Sequence, residues 1–141
     1  MGPVEHSHVA TDPEAEAVYR AEAILELELP TRKLSLTEAQ ALVDKIAHAE
    51  DIDPPKVLHL PISRQFDALA VPDERVIVVR TRRPTQLTIV HEVAHFLAAS
   101  GHGAGFRRTY LELVRRYVSI DHYSLLEAAF GPRTFSSDFA T

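Results

Sequence analysis

With 141 residues, 45% of them hydrophobic and 25% charged, the chain is the size of one ordinary domain and apolar enough to bury a core. It has no cysteine, which excludes a disulfide framework, a thiolate nucleophile and any metal site that uses sulfur. The formal net charge of −5 is the opposite of what a polyanion-gripping protein carries, so a nucleic-acid partner is not expected.

Residues 1–11 are polar and read as a flexible end, His6 and His8 included. The first ten residues lack a basic stretch followed by an apolar one, so no secretory signal is expected. No segment is apolar for long enough to span a membrane, and the expected location is the cytoplasm. Asp12-Pro13-Glu14 reads as a helix start, with Asp as N-cap and Pro in the first turn. Val18, Ala21 and Leu25 then recur at helical spacing, which carries the helix to about Glu26 and to a stop at Pro30. Ser35-Leu-Thr-Glu38 is a capping box, followed by an apolar stripe of Ala39, Leu42, Val43 and Ile46. This second helix is predicted to end near Glu50, before Asp53-Pro54-Pro55.

Residues 57–60 form a short strand candidate. Runs 67–71 and 75–80 flank the turn residues Pro72-Asp73-Glu74 and predict a β-hairpin. Val76 to Val79 are apolar on both faces and belong inside the fold. Pro84 is read as opening a third helix that runs to about Ser100 and stops at Gly101. A fourth places Phe106, Tyr110, Leu113, Val114 and Tyr117 on one side. A last short helix is read as starting at Asp121 and closing at Gly131-Pro132, with 132–141 a loose tail. The basic clusters Arg80, Arg82, Arg83 and Arg107, Arg108, Arg115, Arg116 are read as solvated surface. The order predicts one α+β domain over 1–141, its small sheet packed on the buried third helix.

That helix carries His91-Glu92-Val93-Ala94-His95. Residues four apart on a helix differ by about 40° in direction and about 6 Å along the axis. The two imidazoles therefore share a face and can share a metal ion, with Glu92 bordering that face as a base for a metal-activated water. Two His and a Glu in an otherwise apolar helix cost several kcal/mol unless something pairs with them. His102, just past Gly101, is the expected third ligand; Glu112, Asp121, His122 and Glu127 are its rivals. Gly103 and Gly105 are expected to give the backbone room beside the site. Tyr110 is a candidate donor to an oxyanion, against the plainer reading of a core tyrosine with its hydroxyl at the surface. The 67–80 hairpin either lines the cleft by strand addition or is simply core and edge.

The pentad and the following His102-Gly-Ala-Gly-Phe106 resemble the SprT-like and related small zincin families, minigluzincins among them. Closer still is the resemblance to small single-domain metallohydrolases of actinobacteria and their phages, which share a Val-Tyr-x-x-Glu helix; here it is Val18-Tyr19-Arg-Ala-Glu22. The resemblance implies a zincin-like fold, zinc, a third His ligand and hydrolysis of a peptide or amide bond in a protein or peptide substrate. The chain departs from the SprT pattern in the short spacing between His95 and His102 and in having no cysteine ribbon. The competing readings are a metal-dependent nuclease and a non-catalytic module that zinc stabilises.

Overall fold

The computed structural model describes residues 13–98 and 100–131. Helix α1 (Pro13–Glu28) begins at the expected proline; its expected N-cap Asp12 lies outside the described residues, as do both polar ends. Ala15, Val18, Ala21 and Leu25 form its buried stripe. Helix α2 (Leu36–Glu50) has the full capping box: Ser35 Oγ accepts from the Glu38 N–H, and the Glu38 carboxylate accepts from the Ser35 N–H. Asp51, in the left-handed conformation at φ 61°, ends it before the prolines.

Strand β1 (Lys56–His59), strand β2 (Ala68–Val71) and strand β3 (Val76–Val79) make a sheet in the order β1-β3-β2. β1 runs parallel to β3, and β2 antiparallel. The hairpin is present, its turn a single 3-10 turn over Pro72–Glu74 with Arg75 at φ 57°. Ile77, Val78 and Val79 are buried, as a two-sided apolar strand requires.

Helix α3 (Gln86–Leu97) corrects the sequence reading at both ends. Thr85 caps it instead of Pro84 leading it, because the Thr85 Oγ takes the Thr88 N–H. The helix stops at Leu97, three residues short of Ser100, so that the chain from Ala98 to Gly103 can double back. Helix α4 (Ala104–Tyr117) follows, then helix α5 (Ile120–Phe130). Ser119, not Asp121, caps α5, with its Oγ accepting from the His122 N–H; Asp121 is exposed in the first turn. Both residue types make good caps, and only the helix register decides between them.

The architecture is α+β: five helices and a three-stranded sheet among the described residues. The core joins Val18, Leu25, Val43, Ile46, Ile77, Val79, Ile89, Val90, Val93, Tyr110 and Leu126 from every helix and from β3. α3 lies at its centre, against α2, α4 and β2. The segment after α1 runs beside the start of α3: Leu34 N–H donates to the Pro84 carbonyl at 2.7 Å, and Gln86 N–H to that of Arg32 at 2.8 Å. Buried Thr31 takes the Leu87 N–H and donates its own hydroxyl to Glu26, so the end of α1 is tied to the first turn of α3. No described helix is long and apolar enough to cross a membrane.

Candidate metal centre

α3 puts His91 and His95 one turn apart, with Nε2 atoms 3.2 Å apart. Two nitrogens that ligate one ion tetrahedrally at about 2.0–2.1 Å stand about 3.4 Å apart. His102 arrives from the 98–103 loop, where Gly101 adopts φ +90° and lets the chain return. One ring nitrogen from each of the three histidines lies within 4.8 Å of the others, so His91, His95 and His102 could hold a metal ion. Phe106 backs the triad: it stacks on His95 at 4.4 Å and meets His91 at 5.1 Å and His102 at 4.9 Å. That fixes the three rings from behind with a side chain that offers no ligand atom.

None of the rival third ligands joins the histidine cluster among the described residues. Glu112 is paired with Arg115 and Arg116, His122 Nδ1 meets Ser119 Oγ at 2.6 Å, and Glu127 accepts from the Tyr123 hydroxyl. The basic clusters are likewise partly paired: Arg80 with Asp67, Arg107 with Glu14, and Arg116 with Glu50. Neither glycine is required for room: a Cβ at Gly103 would make ordinary contact with the Glu14 carboxylate at 3.4 Å, and at Gly105 it would meet nothing within 4 Å.

Two side chains beyond the pentad shape the centre. Glu22 of α1 accepts from His91 Nδ1 and, through the same oxygen, from the Tyr110 hydroxyl at 2.6 Å. A carboxylate only accepts, so the His91 proton sits on Nδ1, and Nε2 turns its lone pair toward His95 and His102. This is the carboxylate–histidine pairing that orients metal-binding imidazoles. Tyr110 is thus corrected on both expectations: its hydroxyl is neither at the surface nor at the open side of the triad, but buried behind Glu22. Tyr19, one turn before Glu22, lies against His91 with near-parallel rings 6.1 Å apart and edge-on to His102 at 5.8 Å. Sequence reasoning gave neither Tyr19 nor Glu22 a role. The available signal was Glu22 itself, a carboxylate on the stripe of Ala15, Val18 and Leu25 that otherwise faces the core.

Glu92 is 7% exposed, with its carboxylate 4.0 Å from His91 Nε2. The Ala70 N–H of β2 donates to it. Burial pushes Glu92 up to about 7 against the pull of His91, and Glu22 adds to the rise. Burial alone would lower His91, but the Glu22 and Glu92 carboxylates overcome it and raise it to about 9. His95 has no such carboxylate; burial, then His91 and His102, push it down to about 2. One cation is therefore favoured among these rings and a second refused. A metal ion held by the triad would take the place of that proton.

His91 and Glu92 line a cavity of about 440 Å³, whereas His95 and His102 do not border it. Tyr19, Glu22, His91 and Glu92 form the end at the triad, and Phe66 to Ala68 form a side wall. The hairpin thus lines the cleft at its β2 end. Set against family models, curated proteins and solved structures, the chain matches none of them.

Proposed function

We propose that the chain is a zinc-dependent hydrolase of the zincin type that cleaves a peptide or amide bond. The observation that carries this reading is the juxtaposition of a three-nitrogen cluster with a buried carboxylate beside it, where His91 of the cluster and that carboxylate, Glu92, line one cavity. An all-nitrogen donor set with no fourth protein ligand among the described residues fits a catalytic zinc better than a structural one. A zinc ion there lowers the pKa of water beside it and polarises a carbonyl. Glu92 takes the proton of the attacking water and hands it to the leaving nitrogen as the C–N bond breaks. A base poised near neutrality suits both transfers. His91 is kept in the ligating tautomer by Glu22, which is itself held by Tyr110.

A peptide substrate is supported by the sheet edge. The Arg80 N–H donates to the Asp67 carbonyl, so by the antiparallel alternation residues 68 and 70 turn their backbone groups away from β3. Glu92 takes the Ala70 N–H, and the buried Ala68 lines the cavity. On the other edge the Gln40 side chain accepts the Val57 N–H. An extended chain could add at β2, beside the cavity. The test is Glu92→Gln in zinc-loaded protein with a casein or peptide assay. The expected result is full zinc content and a turnover at least about 100-fold lower. Turnover equal to wild type would falsify the role.

A further inference from the structure

We propose that the cavity takes a positively charged side chain of the substrate, and that Glu26 is the carboxylate that receives it. This rests on the hydrolase reading above and adds a substrate class to it. Four carboxylates line the cavity, those of Glu22, Glu26, Asp67 and Glu92, against the single guanidinium of Arg83. Three of them have a basic group of the chain beside them: Glu22 meets His91, Glu92 stands 4.0 Å from the same ring, and Asp67 is paired with Arg80. Glu26 differs. Its partners are the N–H and the hydroxyl of Thr31, at 2.8 and 2.7 Å, and both are neutral donors. Among the described residues no Lys, Arg or His forms an ion pair with it, Arg83 included.

The half-buried carboxylate is also fixed in place. Thr31 is buried, and its hydroxyl accepts the Leu87 N–H at 3.2 Å while donating to Glu26. This bonded chain reaches from α1 to α3, the two helices that wall the cavity with Glu22 and Glu26 on one side and Leu87 and His91 on the other. A carboxylate has about four acceptor sites. Thr31 takes two of them, which leaves room for an ammonium or a guanidinium. Glu26 lies one helix turn beyond Glu22, about 6 Å along the axis of α1, and Glu22 meets His91. The stem of a Lys side chain is about as long, roughly 6 Å. A residue whose backbone lies at the centre can therefore bring its charge to Glu26. A partly buried charge pair is screened less than one at the surface, so an uncharged side chain of the same length gains less here. In this role Glu26 selects the substrate and moves no proton.

The test titrates heptapeptides into zinc-loaded Glu92→Gln protein, which should hold them uncleaved, and reads affinity by calorimetry. The peptides are acetylated and amidated at their ends and differ only in the central residue: Lys, norleucine or Glu. A fourth carries norleucine and a free amino end. The Lys peptide is expected to bind about tenfold more tightly than the norleucine one, the Glu peptide more weakly than either, and the Lys advantage to shrink to within about twofold when Glu26→Gln is added. Asp67→Asn, at an exposed position, should leave that advantage in place. Equal binding of the Lys and norleucine peptides, or binding of none, would overturn the proposal. So would a Lys advantage that survives Glu26→Gln, or one lost in Asp67→Asn, which would move the receiving charge to the hairpin. A gain confined to the free amino end would overturn it too, by assigning the cavity to a chain terminus. The peptide series and Asp67→Asn decide even if Glu26→Gln fails to fold. The two readings fail separately: a Lys advantage without casein cleavage by the wild type sinks only the hydrolase mechanism, whereas cleavage without a Lys advantage sinks only the role of Glu26.

Discussion

At the scale of single residues, the centre depends on carboxylates that never touch the metal position. Glu22 lies 69 residues from His91 in sequence and Tyr110 lies 88 from Glu22, yet all three meet in one hydrogen-bonded chain. Glu22→Gln keeps the shape but removes the charge, and should weaken zinc binding about tenfold or more; a zinc titration against a competing chelator reads it. The three shifted groups also set a pH profile for the metal-free protein. His91, raised from 6.5 to about 9, stabilises the fold fully below pH 6.5 and loses that contribution as pH rises to 9. Glu92, raised from 4.5 to about 7, takes stability away as pH rises between those values. His95, lowered from 6.5 to about 2, takes it away as pH falls below 6.5. Between pH 4.5 and 6.5 the last two oppose each other, while above 6.5 the first two act together. Chelator-treated protein should therefore show a lower urea midpoint at pH 9 than at pH 6, and a higher one would contradict the assignment of these shifts.

Among the elements, the 98–103 loop decides whether a two-histidine helix becomes a three-histidine centre. Gly101 sits at φ +90° with open space where a Cβ would go, so Gly101→Ala meets backbone strain alone. It should cost about 1–2 kcal/mol in urea unfolding. Gly105 has the same open space but lies in the first turn of α4, so Gly105→Ala should be neutral or gain up to about 1 kcal/mol. Equal effects of the two substitutions would remove the role given to the loop. These elements also divide what was legible in the sequence from what was not. The capping box of α2, the hairpin over 68–79 and the pentad on a buried helix are local patterns, and local physics settles them. The end of α3 at Leu97 was not legible, since Ala98 and Ala99 are good helix formers and the break serves the return of His102. Nor was the partnership of Glu22 with His91, which depends on how α1 crosses α3 and on the tie from Thr31 to Leu87.

Over the whole molecule, one ion would join a helix to the loop that follows it, beside a carboxylate from α1. His91 and His95 belong to α3, His102 to a loop, and Glu22 brings in α1. A ligand that binds only the folded chain stabilises it by about 2.7 kcal/mol at a hundred times its Kd. Zinc should therefore raise the melting temperature of the wild type and leave that of His102→Ala nearly unchanged. The net charge of −5 weighs against an RNA substrate, and Arg80, Arg107, Arg115 and Arg116 are paired with acidic side chains. The most direct test of the account is elemental analysis of untagged wild type and His102→Ala after zinc loading and desalting. The account predicts about one zinc per chain in the wild type and much less in the variant. No zinc in the wild type, or full zinc in His102→Ala, would contradict the three-histidine centre on which the proposed chemistry depends.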